Sequence, residues 1–306
     1  MIQPSFRLLF LALTVAMPSH AAEVAANPPP KTARARLTDA PTRQESRVYQ
    51  VTPEGELRLH FYLPKEGKAS DQRPAIIFFH GAGGGAEEFF PQAEYFASRG
   101  LVCASADYPV SRTRDASLKL TEPLGHAKAA MRWLRSHASE FGVDPNKLIA
   151  AGGSLGGMLA LATALIPGFD SSADDRAIRC EPDALVLFNP AIRVRANSVD
   201  AAGKPLGDNI SPVLFLKNGA PPTIIFFGTA DPLNKLAPEF IAKSRALGNR
   251  CDYFIAADQP HGFFSRQPWA SATAIQADKF LASLGYLQGP PTLQPADATT
   301  VLVQVK

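Results

Sequence analysis

Six residues near the middle of the chain combine a nucleophilic side chain with neighbours small enough to expose it. Gly152-Gly153-Ser154-Leu155-Gly156-Gly157 follows the apolar run Leu148–Ala151 and precedes a helix-compatible run, Met158–Leu165. This is the G-x-S-x-G pattern in the strand–turn–helix context that a nucleophilic serine requires. Glycines permit the sharp turn that lifts the serine to a helix N-terminus, where negative charge is favoured. The pattern predicts that Ser154 is a nucleophile, although a glycine-rich turn with a helix-capping serine has the same composition.

A serine hydroxyl is a poor nucleophile at neutral pH, so it needs a base that an acid in turn orients. Asp231 follows the apolar run Thr223–Phe227, and His261 follows the run Asp252–Ala256. The chain order Ser, Asp, His is the one found when such a serine stands at the top of a parallel sheet. His261 is the only histidine after Ser154 in the sequence. The sequence therefore predicts a catalytic triad of Ser154, Asp231 and His261.

The assignment of the acid leaves two alternatives. Asp258 precedes His261 by three residues in the same loop, and so short a separation makes the reach to the imidazole Nδ1 awkward. Asp231 could also cap the helix that follows it, which is a common role for Asp at a helix start. The capping role and the orienting role are compatible with one another.

A second glycine-rich segment, His80-Gly81-Ala82-Gly83-Gly84-Gly85, follows the apolar run Ile76–Phe79. A loop with few side chains lets backbone N–H groups approach a ligand, as the oxyanion of acyl transfer requires. The N–H of Leu155, just after the nucleophile, would add a further donor. A phosphate-binding loop would need the spacings G-x-x-x-x-G-K-[ST] or G-x-G-x-x-G, which this segment lacks. His80 precedes the nucleophile, so we expect it to brace the loop and not to act as the base.

The segments that carry these residues alternate between short apolar runs and helical periodicity. The predicted strands are Glu56–Leu63, Pro74–Phe79, Leu101–Ala106, Leu148–Ala151, Ala184–Phe188, Thr223–Phe227 and Asp252–Ala256. The predicted helices are Glu122–Phe141, Met158–Leu165, Pro238–Leu247 and Trp269–Leu284. This alternation predicts the α/β class, with a mostly parallel central sheet and helices on both faces. Such a sheet has its functional site beyond the carboxyl ends of its strands, where the residues above lie.

Taken together, these motifs resemble the α/β-hydrolase superfamily, and within it the acetyl-esterase and hormone-sensitive-lipase-like serine carboxylesterases. The matching residues are His80-Gly81-Ala82-Gly83, Asp107-Tyr108, Asp144-Pro145, Gly152–Gly157, Ser211-Pro212, Asp231-Pro232-Leu233 and His261-Gly262-Phe263. The resemblance implies an α/β-hydrolase fold with a small cap or none, and no metal or organic cofactor. It also implies an oxyanion hole formed by the backbone N–H groups of Ala82, Gly83 and Leu155.

The sequence departs from that family at several positions. Ala82 stands where a Gly is usual, and Gly153 and Leu155 stand where Asp and Ala are usual beside the serine. Ala191–Asn218 is the only sizeable insertion and is the candidate for a small lid. By analogy, these departures favour compact secreted esterases that act on acetylated or feruloylated plant polysaccharides, although a fold does not determine a substrate.

The predicted function is therefore a secreted serine carboxylic-ester hydrolase that acts through an acyl-enzyme on a small-molecule or carbohydrate ester. A prolyl-oligopeptidase-like serine peptidase shares the triad order, but the chain has no room for the large propeller that usually screens those sites. An acyltransferase that passes the acyl group to a sugar alcohol remains open. A carbohydrate-binding module without catalysis is disfavoured, because binding needs no nucleophile.

Composition and the chain ends set the context of this site. Of 306 residues, 46% are hydrophobic and 19% are charged, which excludes a chain that is disordered throughout. A net charge of +3 without a basic run gives no indication of a nucleic-acid partner. The domain is predicted over 44–288, between a Pro/Ala-rich linker at 22–43 and a C-terminal tail at 289–306, in which Thr299–Val305 is a candidate late strand. The sequence leaves the oligomeric state open.

Residues 1–21 resemble a secretory signal peptide, with a positive start, ten apolar residues from Leu8 to Met17, and small residues before a cut after Ala21. The apolar stretch is too short for a membrane span of about 20 residues, although a membrane anchor is the alternative. We therefore expect export to the periplasm or the medium. Because an exported chain meets oxidising conditions, we hypothesise a disulfide between Cys180 and Cys251, with Cys103 free.

Overall fold

The computed structural model describes residues 36–68, 70–110, 120–194, 199, 202 and 204–306, and the predicted signal peptide lies outside them. Within these residues, nine strands form one sheet. They are β1 Thr42–Thr52, β2 Gly55–Pro64, β3 Arg73–Phe79, β4 Val102–Ala106, β5 Val143–Gly153, β6 Ala184–Phe188, β7 Thr223–Gly228, β8 Cys251–Ala256 and β9 Leu302–Val305.

The strands lie side by side in the order β1-β2-β4-β3-β5-β6-β7-β8-β9. The six from β4 to β8 in this order are parallel to one another. At one edge β1 and β2 form an antiparallel pair, and at the other edge β9 runs antiparallel to β8. The predicted mostly parallel central sheet is confirmed, and the carboxyl ends of its parallel strands meet at one edge.

Helices cover both faces of this sheet, as predicted. They are α1 Phe90–Ser98, α2 Thr121–Ser136, α3 Leu155–Leu165, α4 Ala237–Ala246 and α5 Trp269–Ser283. The helices α1 and α5 pack on one face, in a core that contains Phe78, Phe96 and Phe280. The helices α2, α3 and α4 pack on the other face, around Ile77 and Leu159. Because both faces are covered, the central strands are apolar throughout and do not alternate.

The fold extends beyond the predicted bounds of 44–288 at both ends. Strand β1 begins at Thr42, and Leu37 in the predicted linker is buried. In the predicted tail, β9 pairs with β8, where Leu302 lies opposite Ala256. Both added strands lie at sheet edges and are half exposed, so neither has the apolar signal of a central strand.

The hypothesised disulfide is wrong, because Cys103, Cys180 and Cys251 are all free and buried thiols. In the sheet register, Cys251 pairs with Thr223 on β7, which in turn pairs with Leu185 on β6. Two strand spacings separate Cys251 from β6 by about 9.6 Å, and Cys180 lies five residues before Leu185 along the chain. A disulfide needs Cα atoms within about 7 Å. The Cys180 thiol instead packs beneath α3, with Sγ 3.8 Å from Thr163 O.

The insertion Ala191–Asn218 is packed against the core where the structure describes it. Its apolar side chains Ile192, Leu206, Ile210 and Val213 are buried, and two 3-10 helices, Gly207–Ile210 and Pro212–Phe215, lie within it. The described part of the insertion therefore contributes a fixed wall beyond β6. None of the helices in the described ranges is both long and apolar enough for a bilayer span.

Candidate active site

Ser154 stands alone between the last residue of β5 and the first residue of α3. Its φ of 54° and ψ of −115° lie in a region that residues with a Cβ rarely adopt, at a cost of about 1–3 kcal/mol. Three backbone hydrogen bonds hold this conformation. The Ser154 N–H donates to Phe188 O over 3.0 Å, and Ser154 O accepts from Ala191 N and Met158 N over 3.0 and 3.1 Å.

The glycines around Ser154 are required by close backbone contacts. A Cβ on Gly156 would lie 1.9 Å from Phe79 O, at the end of β3. A Cβ on Gly152 would lie 2.5 Å from the carbonyl carbon of Gly156. Such distances are impossible for carbon, so α3 can begin directly against β3 only if both residues are glycine. The G-x-S-x-G pattern therefore follows from the packing of this turn.

The three side chains of the predicted triad lie in hydrogen-bond contact. His261 Nε2 lies 2.9 Å from Ser154 Oγ, and His261 Nδ1 lies 2.7 Å from Asp231 Oδ2. The Ser154 side chain makes no capping hydrogen bond to α3, so the alternative of an ordinary capping serine is not what the structure shows. The Asp231 side chain is fully buried, whereas 39% of the His261 side chain is exposed.

Asp231 makes both of the contacts that the sequence allowed. While Oδ2 contacts His261, Oδ1 accepts the N–H of Leu233 over 2.9 Å and caps the 3-10 helix Pro232–Leu236. The alternative acid, Asp258, has an exposed side chain, and its backbone N–H donates to Thr229 Oγ1. The cap fixes the Asp231 carboxylate, so one oxygen stays directed at the imidazole.

The predicted oxyanion donors come from two adjacent elements. Phe79 of β3 pairs with Gly152 of β5, so the loop after β3 lies beside the turn at Ser154. A hydrogen bond from Gly84 N to Gly81 O closes the loop into a turn. Within it, Ala82 lies outside the left-handed region, whereas Gly83 has a φ of 87° that suits glycine. Leu155, the third predicted donor, is the first residue of α3.

His80 braces this loop, in agreement with its sequence-based role. It is buried, with Nδ1 2.9 Å from Gly81 O and Nε2 3.2 Å from Tyr108 O. The Tyr108 ring stacks on the imidazole at a centroid distance of 4.0 Å, and its hydroxyl donates to His80 O. Burial raises the pKa of Tyr108 well above its usual value, so the hydroxyl keeps the proton that it donates.

Comparisons with known proteins agree with this geometry. The BD-FAE family model matches residues 59–182. The apo structure of Thermogutta terrifontis esterase 2 is 36% identical, and the match covers 80% of this chain and 96% of that one with a TM-score of 0.73. The chain belongs to the α/β-hydrolase esterase family. Related structures of that esterase are described as phosphorylated by paraoxon, with propionate bound and with butyrate bound.

Curated relatives of this chain include two proteins of Mycobacterium tuberculosis. Esterase LipQ is 28% identical over 170 residues, which are 47% of this chain and 38% of LipQ. The probable carboxylic ester hydrolase LipM is 26% identical over 220 residues, which are 63% of this chain and 49% of LipM. The chain spans about half the length of these curated relatives or less.

Two residues near the candidate triad were not predicted from the sequence. Asn189 is fully buried, with a φ of 38°. Its Nδ2 lies 3.4 Å from His261 Nε2, and its Oδ1 accepts the N–H of Gly262 over 3.3 Å. Asn189 directly follows β6. The rule that selected Asp231, a polar residue after an apolar strand, would therefore also have selected Asn189. The second residue, Glu88, accepts the N–H of Gly81 over 2.8 Å, and its place in a polar helical turn gave no such signal.

Proposed function

We propose that this protein is a serine carboxylic-ester hydrolase that acts through Ser154, His261 and Asp231. The observation that carries the proposal is the continuous hydrogen-bonded path from Asp231 through His261 to Ser154 Oγ, at a strained turn that presents the hydroxyl. A capping serine would need no base and no backbone strain. The named relatives support ester hydrolysis among the reactions that such a triad performs.

In the first step, Ser154 Oγ attacks the ester carbonyl carbon, and its proton passes to His261 Nε2 across 2.9 Å. The carbonyl electron pair moves to the oxygen, and the N–H groups of Ala82, Gly83 and Leu155 are the proposed donors to that oxyanion. Asp231 holds the Nδ1 side of the ring and stabilises the imidazolium that forms. The buried position of Asp231 strengthens that attraction, because little water screens it.

In the second step, the tetrahedral intermediate collapses and expels the alcohol, which takes the proton from His261. This leaves the acyl group on Ser154 Oγ. Water then attacks the acyl carbon while His261 accepts its proton, and a second collapse releases the carboxylic acid and restores Ser154. The cycle consumes one water for each ester and needs no cofactor.

We further propose an exported enzyme that acts on acyl esters of a carbohydrate, with a short acyl group such as acetyl as the first candidate and the aromatic feruloyl group as the second. The signal-like residues 1–21 support export. The propionate and butyrate complexes of the Thermogutta esterase support a short acyl group. Rates on acetyl, butyryl, octanoyl and feruloyl esters and on acetylated xylan would rank these candidates. A rate that is highest for octanoyl esters would contradict the short-acyl proposal.

The decisive experiment combines a substitution with a covalent label. We expect Ser154→Ala to lower kcat on p-nitrophenyl acetate by about 10⁴-fold or more, while the variant stays folded. Paraoxon should inactivate the native enzyme and leave a diethylphosphoryl group on the peptide that contains Ser154. Unchanged activity of Ser154→Ala, or a label on another residue, would refute the assignment. Cleavage of a chromogenic dipeptide amide would instead support the peptidase alternative.

A further inference from the structure

We propose that Glu88 is the positioning residue of the oxyanion hole, where its carboxylate fixes the glycine-rich loop relative to the turn at Ser154. This inference rests on the proposed ester hydrolysis and assigns a role to a residue that the mechanism above does not use. Glu88 belongs to the 3-10 helix Ala86–Phe89, which follows the loop directly. The side chain turns back toward the loop from which the helix emerges.

On one side, the carboxylate contacts the loop. The Gly81 N–H donates to Glu88 Oε2 over 2.8 Å. A Cβ on Gly84 would lie 2.5 Å from the same oxygen, too close for two non-bonded atoms. The glycine at 84 therefore makes room for the carboxylate inside the turn that Gly81 and Gly84 close. The lack of side chains in the loop therefore has two effects. It leaves space for the Glu88 carboxylate, and it lets backbone N–H groups approach a substrate oxygen.

On the other side, the carboxylate lies against the residue before the nucleophile. A Cβ on Gly153 would lie 3.3 Å from Glu88 Oε1. The carboxylate thus binds one of the elements that supply the predicted donors and lies beside the other, because Ala82 and Gly83 follow Gly81, and Leu155 follows Gly153 by two residues.

This contact matters because the donors act only at the correct distance from the developing oxyanion. A glycine-rich segment has more accessible backbone conformations than any other, so it needs an external restraint to keep one of them. A hydrogen bond from an N–H to a carboxylate is stronger than a neutral one and can supply that restraint. The pKa of Tyr108 is raised first by burial and second by the negative charge of Glu88. The carboxylate therefore lies near Tyr108 and His80, the two residues that brace the loop.

The test compares three substitutions of Glu88 on p-nitrophenyl acetate. We expect Glu88→Ala to lower kcat by about tenfold to a hundredfold, the size of one charge-assisted hydrogen bond, while KM changes by less than about threefold. Glu88→Gln keeps an oxygen acceptor at the same reach but loses the charge, so kcat should fall by about threefold to tenfold, less than in Glu88→Ala. Glu88→Asp keeps the charge but falls one methylene short of Gly81, so it should resemble Glu88→Ala. An exposed glutamate that precedes β3, at the end of the strand opposite the loop, provides the control, because Glu66→Ala should leave kcat unchanged.

A boronic acid that forms a tetrahedral adduct with Ser154 gives a second readout, since its affinity should fall in parallel with kcat in Glu88→Ala. Native kcat in Glu88→Ala would overturn the proposal. So would a loss in Glu88→Gln as large as in Glu88→Ala, or a fall in Tm with no change of kcat. Activity that survives Ser154→Ala would refute the proposed function itself, which separates the two failures.

Discussion

Two clusters of polar side chains differ in how completely their hydrogen-bonding groups are used. The triad contains one short contact between charged or chargeable groups, 2.7 Å between His261 Nδ1 and Asp231 Oδ2. The second cluster, which we name the α2 cluster, consists of Lys128 and Arg132 on α2 with Asp170 and Asp174. It contains two equally short contacts, from Arg132 to Asp170 and to Asp174, both 2.7 Å.

In the α2 cluster, both cations are directed at fixed acceptors. Besides its two carboxylates, Arg132 donates from Nε to Ile178 O over 2.9 Å. Lys128 donates to Ile166 O over 2.7 Å and to Gly168 O. These carbonyls lie at and beyond the end of α3, so the two cations attach the segment after α3 to α2. The side chains of Lys128 and Arg132 are only 2% and 10% exposed.

The triad is built in the opposite way, since its buried end is fixed and its other end is open. Asp231 is fully buried with both oxygens engaged, whereas His261 is 39% exposed. Ser154 Oγ therefore meets a base on one side and leaves room for an incoming carbonyl. The comparison teaches that short contacts and burial do not by themselves mark an active site. What distinguishes the candidate triad is a strained backbone at Ser154 together with a half-buried serine side chain.

The largest expected effect follows from breaking the buried end of the triad. Asp231→Asn should lower kcat on p-nitrophenyl acetate by about 10³–10⁴-fold, because an amide stabilises the wrong imidazole tautomer and no imidazolium. The amide oxygen can still accept from Leu233 N, so the urea midpoint should change little. Asp258→Asn, at the alternative acid, is the matched control and should retain native kcat. Equal losses in both variants would show that Asp231 is not the orienting acid.

Sequence reasoning predicted that Ser154, Asp231 and His261 lie together because each follows an apolar strand, and the carboxyl ends of parallel strands meet at one edge. The same reasoning missed β1, whose residues are largely polar, and offered β9 only as a candidate strand within the tail, because edge strands bury one face at most. Helix α1 was not among the predicted helices, because its 9 residues are too few to show a clear helical periodicity. The predicted disulfide failed because a sequence does not give distances between non-adjacent strands. The contact between Glu88 and Gly81 depends on how a helical turn folds back, which no periodicity encodes.

The second prediction breaks the α2 cluster. Arg132→Met should lower the free energy of unfolding by about 3 kcal/mol, because it leaves two buried carboxylates without their shared cation. Well below the unfolding temperature, kcat/KM should stay within about twofold of the native value. Urea denaturation and ester hydrolysis would measure the two effects. Arg36→Met is the control, since Arg36 and Asp39 are 71% and 88% exposed and such pairs contribute little. A large loss of kcat/KM in Arg132→Met would show that the α2 cluster is needed for activity as well as for stability.

The smallest expected effect concerns His126, which lies near the start of α2 with Nδ1 2.7 Å from Gln50 Oε1. Burial lowers the pKa of His126 below its ordinary value of 6.5, although Glu122 and Glu54 act in the opposite direction. The unfolded chain therefore binds the proton at a higher pH than the folded chain does. Protein stability must fall as the pH decreases through 6.5 toward the lower folded pKa. Above that window, His126 is neutral in both states and contributes no pH dependence.

We therefore expect the native protein to lose more Tm between pH 7.5 and pH 5.5 than His126→Gln does, since glutamine does not titrate. Thermal unfolding of both proteins at the two pH values measures the difference. Ester hydrolysis at pH 7.5 should be equal in both, because His126 lies outside the triad. Parallel slopes would show that His126 binds its proton equally well in the folded and unfolded chains. A larger loss of Tm in the variant than in the native protein would show that the folded chain favours protonated His126, opposite to the expected effect of burial.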